Sequence, residues 1–386
     1  MHPVARHSRQ LGFTLIEIMV GCVIGVVGLL VIFQTLAVWN RHTQTAMTGG
    51  EADVAGSLAI FNIDRDLRLG GYGFNTADPA TMGCAVSGTD TSSARAFTFA
   101  LSPIEIVVGA GGAPDQINVL YGNSAFFATG EQVISSTATT KSLAHRNGFK
   151  QGDMAVMAGN AGASAASATC TLIQVNDTSA PDGFTIGHTT AAFSSYYAAS
   201  GAAAASAPFN AASGTGAVYS SGTLFNLGPQ PRRNTWSIAN GRVLQRADLI
   251  FGTAPFDVAE GVINLKAEYG VDADPPDTKI GDAEWTTTTP TDWTRVLAIR
   301  VAVLVRSSQF EQSADAGASA AGGAVTASAP TWGNGDADHT FLMTNVDGSN
   351  DSYDATQAVA DNWRYYRYRV YEKVIPLRNM IWGVAQ

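Results

Sequence analysis

Charged side chains are scarce: only 14% of the 386 residues are Asp, Glu, Lys or Arg. Basic residues are the rarer sign, 23 Lys plus Arg against 32 Asp plus Glu, for a formal net charge of −9. That balance repels phosphate backbones and anionic lipid headgroups, so nucleic-acid binding would need a local basic patch. None of the five lysines follows a glycine, which excludes a phosphate-cradling loop of the Gly-x-x-x-x-Gly-Lys kind. No zinc-protease His-Glu-x-x-His occurs, and His42, His145, His188 and His339 are isolated along the chain. Residues 162–166 (GASAA) lack the closing glycine of a nucleophile elbow. No catalytic residue and no cofactor are therefore expected.

Cysteine is nearly absent too. Cys22 lies within an apolar run, whereas Cys84 and Cys170 lie in polar, Gly- and Thr-rich surroundings. Pairing of Cys84 with Cys170 is the natural expectation for a head outside the cytoplasm, closing a loop of about 85 residues and contributing about 4 kcal/mol on a chain-entropy account. Two buried, unpaired thiols are the alternative.

What the chain does have is apolar residues, 46% of the total, enough for a folded core. Residues 18–33 (IMVGCVIGVVGLLVIF) hold no charged side chain, and the apolar character continues to Trp39. As a helix, residues 13–39 would reach about 40 Å, against about 30 Å for a hydrocarbon core. His2, Arg6, His7 and Arg9 precede the run and favour a cytoplasmic start, with everything after it on the other side. Residues 36–39 fit a small-x-small signal-peptidase site poorly. Glu17 is the one carboxylate in the apolar segment and has no evident local partner. Such a group costs about 2.5–3.5 kcal/mol in a membrane helix, so it needs a compensating interaction. Gly21, Gly25 and Gly28 are spaced for close helix approach, although membrane helices also tolerate glycine for its own sake.

Past Trp39 the chain turns polar, then Val54, Leu58, Ile60, Phe61, Ile63 and Leu67 recur at helical spacing. The helix is expected to continue outward, with a bend or frayed turn at Gly49-Gly50 and a stop at residues 70–73 (GGYG). Alternation then replaces helical periodicity. Strands are expected at residues 104–108, 116–121, 154–158, 170–175, 236–244, 262–269, 297–305 and 366–375. Leu297, Ile299, Val301, Val303 and Val305 fill one face of a central strand whose other face, Ala298, Arg300, Ala302 and Leu304, is only partly polar. Residues 159–169, 194–222 and 313–330, rich in Ala, Ser and Gly, are expected to be loops, with a short helix at 201–212 as the alternative.

Two further patterns invite a functional reading. Asp272, Asp274 and Asp277 in DADPPD could offer oxygen ligands to calcium, but the turn glycine and terminal glutamate of an EF-hand are missing, and a solvated acidic turn fits better. Residues 363–369 (WRYYRYR) interleave aromatics with cations as a base-stacking surface would. The same residues alternate as a strand, with Tyr366, Tyr368, Val370 and Val374 on one face and Arg367, Arg369 and Lys373 on the other, and the strand reading is preferred.

The run Gly12-Phe13-Thr14-Leu15-Ile16-Glu17 resembles the processing site of type IV prepilins. Residues 64–74 (DRDLRLGGYGF) resemble the helix exit of PilW-type minor pilins, and residues 115–121, 152–153, 225–228, 261–272, 296–307 and 368–379 are similar to segments of that family in the same order. The major pilins' helix-breaking proline has no counterpart here, since none follows the leader before Pro79. The resemblance implies an α+β fold: a long N-terminal helix, its first half in the membrane, packed on an antiparallel-rich β-sheet head with long Ala/Ser/Gly-rich loops. It divides the chain into a leader (1–12), a transmembrane and assembly helix (13–39), its continuation (40–70) and a periplasmic head (71–386). It also implies cleavage between Gly12 and Phe13, N-methylation of Phe13, and pairing of Glu17 with the new amine of its own or a neighbouring subunit. The implied partners are other minor pilins, the major pilin, prepilin peptidase, the inner-membrane assembly platform and a tip adhesin. The implied role is priming and assembly of type IV pili, in support of twitching motility and adhesion, with the protein in the inner membrane and then in the pilus or its tip. The alternatives are a type II secretion minor pseudopilin and a pilus-tip subunit that binds DNA or surfaces.

Overall fold

The computed structural model describes residues 14–74, 81–126, 130–145, 148–159, 169–211, 219, 221–273, 279–311, 324–335, 337–346 and 362–383. Its first element, α1 (Leu15–Leu67), is a helix of 53 residues that runs through Gly49 and Gly50. The frayed turn expected there is not seen, because each glycine lowers helix propensity by about 1 kcal/mol yet removes no backbone hydrogen bond. By its contacts the chain divides into an N-terminal unit, Met1–Glu51, and a second unit, Ala52–Gln386, which contains the last turns of α1 and all the strands.

Within the second unit the buried face of α1 is made of Ala52, Ala59, Ile63 and Leu67. Val54, Leu58 and Phe61 share a helical spacing of their own but face outward, 69%, 43% and 61% exposed. Side-chain size decides between the two stripes. A Cβ built on Gly56 would fall inside the ring of Tyr371, so only the small-residue face lets a strand come this close.

Strands β1 (Ala85–Asp90), β2 (Arg95–Ala100), β3 (Ile104–Val107), β4 (Gln116–Tyr121), β5 (Glu131–Ser136), β6 (Thr140–Leu143), β7 (Met154–Gly159), β8 (Thr169–Gln174) and β9 (Thr185–Gly187) come first. They are followed by β10 (Gly222–Gly228), β11 (Arg232–Ala239), β12 (Val243–Asp248), β13 (Phe256–Glu260), β14 (Val262–Val271), β15 (Trp285–Thr286), β16 (Val296–Arg306), β17 (Tyr368–Pro376) and a short helix, α2 (Arg378–Gly383). Among the described residues the strands form three sheets rather than the expected one: eight strands ordered β2-β1-β8-β7-β10-β5-β6-β9, five ordered β13-β12-β11-β4-β3, and four ordered β15-β14-β16-β17. Every pairing is antiparallel except β1 with β8. A long N-terminal helix followed by antiparallel-rich sheets makes the fold α+β.

The main core joins α1 to all three sheets, through Ile63 and Leu67 of the helix, Val86, Val156 and Phe225, then Ile117 and Trp236, then Leu265, Val301 and Val303. Alternation gives β7 a second face, where Ala155 and Met157 meet Val133, Ile173 and Leu224. The partly polar face of β16 is covered as well, since Ala302 and Leu304 pack against Trp332, Phe341, Met343 and Trp363. The stretch 236–244 is not one strand but the turn of a hairpin. Asn240 and Gly241 take φ of 51° and 65°, the left-handed pair that a tight reversal with right-handed strand twist requires. Residues 201–211 hold no helix; Phe193 and Ala205 pair across this segment as an isolated bridge.

Candidate functional site

The start of α1 is built as a capping box. The Glu17 carboxylate accepts from Thr14 N and from Thr14 Oγ1, both at 3.0 Å, and Thr14 Oγ1 accepts from Glu17 N at 3.4 Å. Glu17 is thus not without a local partner: the Thr-x-x-Glu spacing that supplies one was present in the sequence. Gly12 and Phe13 lie outside the described residues. Beyond the cap, Leu15–Asn40 is long and apolar enough to cross a membrane, and none of it is buried. Thr35 Oγ1 donates to Val31 O at 2.8 Å and Thr43 Oγ1 to Trp39 O at 3.0 Å, so these hydroxyls are satisfied inside the helix. A Cβ at Gly21, Gly25 or Gly28 would meet nothing, which leaves this small-residue surface open to another helix.

The last turns of α1 are fixed to the head by acids on the helix. Asp53 accepts from the Tyr371 hydroxyl at 2.5 Å and pairs with Arg369 at 3.0 Å. Burial, then the Asp53 carboxylate, push the Tyr371 phenol up to about 12. Asp64 pairs with Lys373 at 3.1 Å and with Arg68 at 2.9 Å. Asp66 is buried and accepts from Tyr121 Oη at 2.8 Å, Trp236 Nε1 at 2.8 Å and Asn234 Nδ2 at 2.9 and 3.0 Å. At the helix exit Asn379 Nδ2 lies 3.1–3.3 Å from the carbonyls of Arg68, Leu69 and Gly70, groups that a helix end leaves without partners. Three cations of the 363–369 stretch and β17 are spent on carboxylates, Arg367 on Glu311 at 2.7 Å, Arg369 on Asp53 and Lys373 on Asp64; Arg364 stands 4.8 Å from the Trp363 ring centroid, and Trp363, Tyr365 and Tyr366 are buried. From the sequence Arg367, Arg369 and Lys373 read only as one face of a strand; Asp64, Asp66, Tyr371 and Asn379 fall in the 64–74 and 368–379 segments, whereas Asp53, Asn234 and Glu311 carry no signal there.

Cys84 and Cys170 form a disulfide with Cα atoms 6.0 Å apart, tying the start of β1 to its parallel neighbour β8. Asp272 is buried, and its amide donates to Arg295 O at 2.9 Å. Asp274 and Asp277 lie outside the described residues, and among those described no three His, Cys, Asp or Glu side chains group to hold a metal. Three of the histidines have local partners: His145 bonds Glu131 at 3.0 Å, His339 bonds Glu268 at 3.0 Å, and His188 Nε2 lies 2.9 Å from Lys141 Nζ. The last pair is buried, and burial first, then the Lys141 charge, lower His188 to about 3, while burial lowers Lys141 to about 8.

Comparison with known families gives two matches. Residues 7–33 match the prokaryotic N-terminal methylation motif, and residues 252–379 match the type IV pilus-assembly protein W (PilW) family. The first stretch contains Gly12, Phe13 and the Thr14–Glu17 cap; the second contains β13, β14, β16, β17 and Asn379. No curated protein and no solved structure matches the chain. Together the two matches support a PilW-type type IV pilin whose apolar N-terminal helix is consistent with membrane anchoring and pilus association.

Proposed function

We propose that this PilW-type pilin is a minor, noncatalytic subunit that is cut between Gly12 and Phe13 by prepilin peptidase, N-methylated on Phe13, and drawn from the inner membrane into the type IV pilus. There it joins other minor pilins and the major pilin on the assembly platform, primes filament growth and supports motility and adhesion, with its head on the periplasmic side. The observation that carries this reading is the exposed apolar helix that begins with a methylation motif and is joined, through the acids of its last turns, to a sheet matched by the PilW family. A helix that is exposed along its whole apolar length can exchange lipid for a bundle of similar helices without meeting water.

Glu17 has a specific part in this. Its bonds hold the carboxylate at the first turn, on Thr14, the residue that directly follows Phe13 in sequence. In a low-dielectric bundle an amine of this or a neighbouring subunit then meets a charge already fixed in place, which sets axial register. Mass spectrometry of sheared pili tests the whole proposal. The expected species begins with methylated Phe13, and finding only full-length chain with its leader intact in cells would overturn it. Gly12→Val should leave uncut precursor in the membrane. Glu17→Ala should be cut yet enter pili poorly, as read by immunoblot of the sheared fraction. The PilW match over residues 252–379 supports pilus use over a secretion piston; deletion should remove surface pili, whereas normal piliation with failed exoprotein secretion would reverse that choice.

A further inference from the structure

Beside the eight-stranded sheet lies a surface to which the proposed function assigns no part. Phe126, Phe184, Tyr196 and Tyr197 are 39%, 44%, 57% and 40% exposed, an expensive group of large rings to leave facing water. Tyr196 meets Phe126 and Tyr197 edge to face, with ring centroids 5.9 and 5.3 Å apart, and Lys150 Nζ stands 5.0 Å from the Tyr196 centroid and 5.1 Å from that of Phe126. The rings are held from below. The Tyr197 hydroxyl donates to Asp153 at 2.5 Å, Asn226 Nδ2 donates to the same buried carboxylate at 3.0 Å, and Tyr196 N donates to Gln151 O at 2.9 Å.

Next to the rings is a groove of about 360 Å3 whose lining includes Lys150, Gln151, Thr178, Phe184, Ser194 and Tyr196. The side chains of Gln151, Thr178 and Ser194 thus offer amide and hydroxyl groups at its wall. The groove's charge is not that of an anion site. Among the described lining residues Lys150 is the one cation, while Asp177 and Asp182 directly precede the lining residues Thr178 and Gly183. Hydrogen bonds from Ser179 and Thr185 hold these two carboxyls below the ordinary range, so both stay ionised. The ligand that fits must present C–H bonds to aromatic faces, hydroxyls to a polar wall and no negative charge.

We infer that this groove binds neutral carbohydrate, with a pyranose ring stacked on Tyr196 and its hydroxyls reaching Gln151, Thr178 and Ser194. The electron-rich face of tyrosine attracts the weakly positive C–H edge of a sugar, and the polar wall replaces the water that the hydroxyls give up. The test is saturation-transfer NMR on the full-length protein in a sugar-free detergent. The probes are the methyl glycosides of glucose, galactose, mannose and N-acetylglucosamine, together with maltohexaose and cellohexaose. Transfer to the ring C–H protons of one or more of these is expected, at millimolar affinity and unchanged by salt. Tyr196→Ala should weaken it by about tenfold or more and Tyr196→Phe should restore it, with thermal unfolding unchanged in both. Transfer to none of the probes, or transfer undiminished in Tyr196→Ala, would overturn the inference; so would salt-sensitive binding of heparin or an oligonucleotide in place of neutral sugar. Such a failure leaves the assembly proposal untouched, because processing and pilus incorporation are read on a different segment.

Discussion

The end of α1 and the eight-stranded sheet share one apolar core, but the points that fix them differ. At the helix, Asp53, Asp64 and Asp66 reach side chains more than a hundred residues away, and Asn379 closes the helix end. In the eight-stranded sheet the faces are covered by apolar side chains, and the covalent tie is Cys84–Cys170. Apolar burial is nondirectional and sets how much surface is hidden; a carboxylate that accepts three defined donors sets where the helix stops sliding. The family match over residues 252–379 contains β17 and Asn379 but none of the helix acids, and none of the strands of the eight-stranded sheet. The lesson is that directional polar contacts, added to apolar burial, fix where the last turns of α1 sit on the head.

This contrast can be broken at four points, taken from the largest effect down. Replacing both Cys84 and Cys170 with Ser releases a loop spanning 86 positions and should cost the full-length protein about 4 kcal/mol, read by denaturant unfolding in detergent. An unchanged midpoint would mean that the apolar clusters alone hold the eight-stranded sheet. Asp66→Ala strands the Tyr121, Asn234 and Trp236 donors and should cost about 3 kcal/mol, whereas Asp66→Asn, which keeps an acceptor, should cost less. Equal losses in the two variants would show that the helix is held by shape rather than by the carboxylate.

Gly56→Leu forces the Tyr371 ring off the helix and should cost about 2 kcal/mol, with loss of the Tyr371–Asp53 bond visible as a fall in the phenol's titration midpoint. The smallest effect is acid sensitivity in the eight-stranded sheet. His188 titrates at about 3 when folded, against the ordinary 6.5, so below 6.5 the unfolded chain takes up a proton that the folded one does not. Stability is therefore complete above 6.5 and is lost as the pH falls toward the folded value. Moving from neutral pH to about pH 5.5 should cost about 1 kcal/mol, and His188→Gln should flatten that slope in a melting series.

Much of the fold was legible in sequence where one face was apolar over several residues. Residues 262–269 and 297–305 alternate cleanly and became β14 and β16. The eight-stranded sheet is far less so, because β1 (AVSGTD) and β6 (TKSL) are short and mostly polar, without an apolar alternation to mark them. The hairpin at Asn240-Gly241 was missed although its signal was present, since the apolar residues on both sides look like one continuous strand. At the candidate site the Thr14–Glu17 cap is equally readable from its Thr-x-x-Glu spacing.

By itself the sequence determined that a long apolar helix with one acid near its start precedes a strand-rich head, because these follow from hydrophobic period and local spacing, which act within a few residues. Only the tertiary structure decided which stripe of the helix is buried and which distant groups hold it there. Val54, Leu58 and Phe61 outweigh Ala52, Gly56 and Ala59 in hydrophobicity, yet the smaller face is the one that lets Tyr371 approach within reach of Asp53. Close approach is a property of two surfaces together, and no window along a single segment contains it.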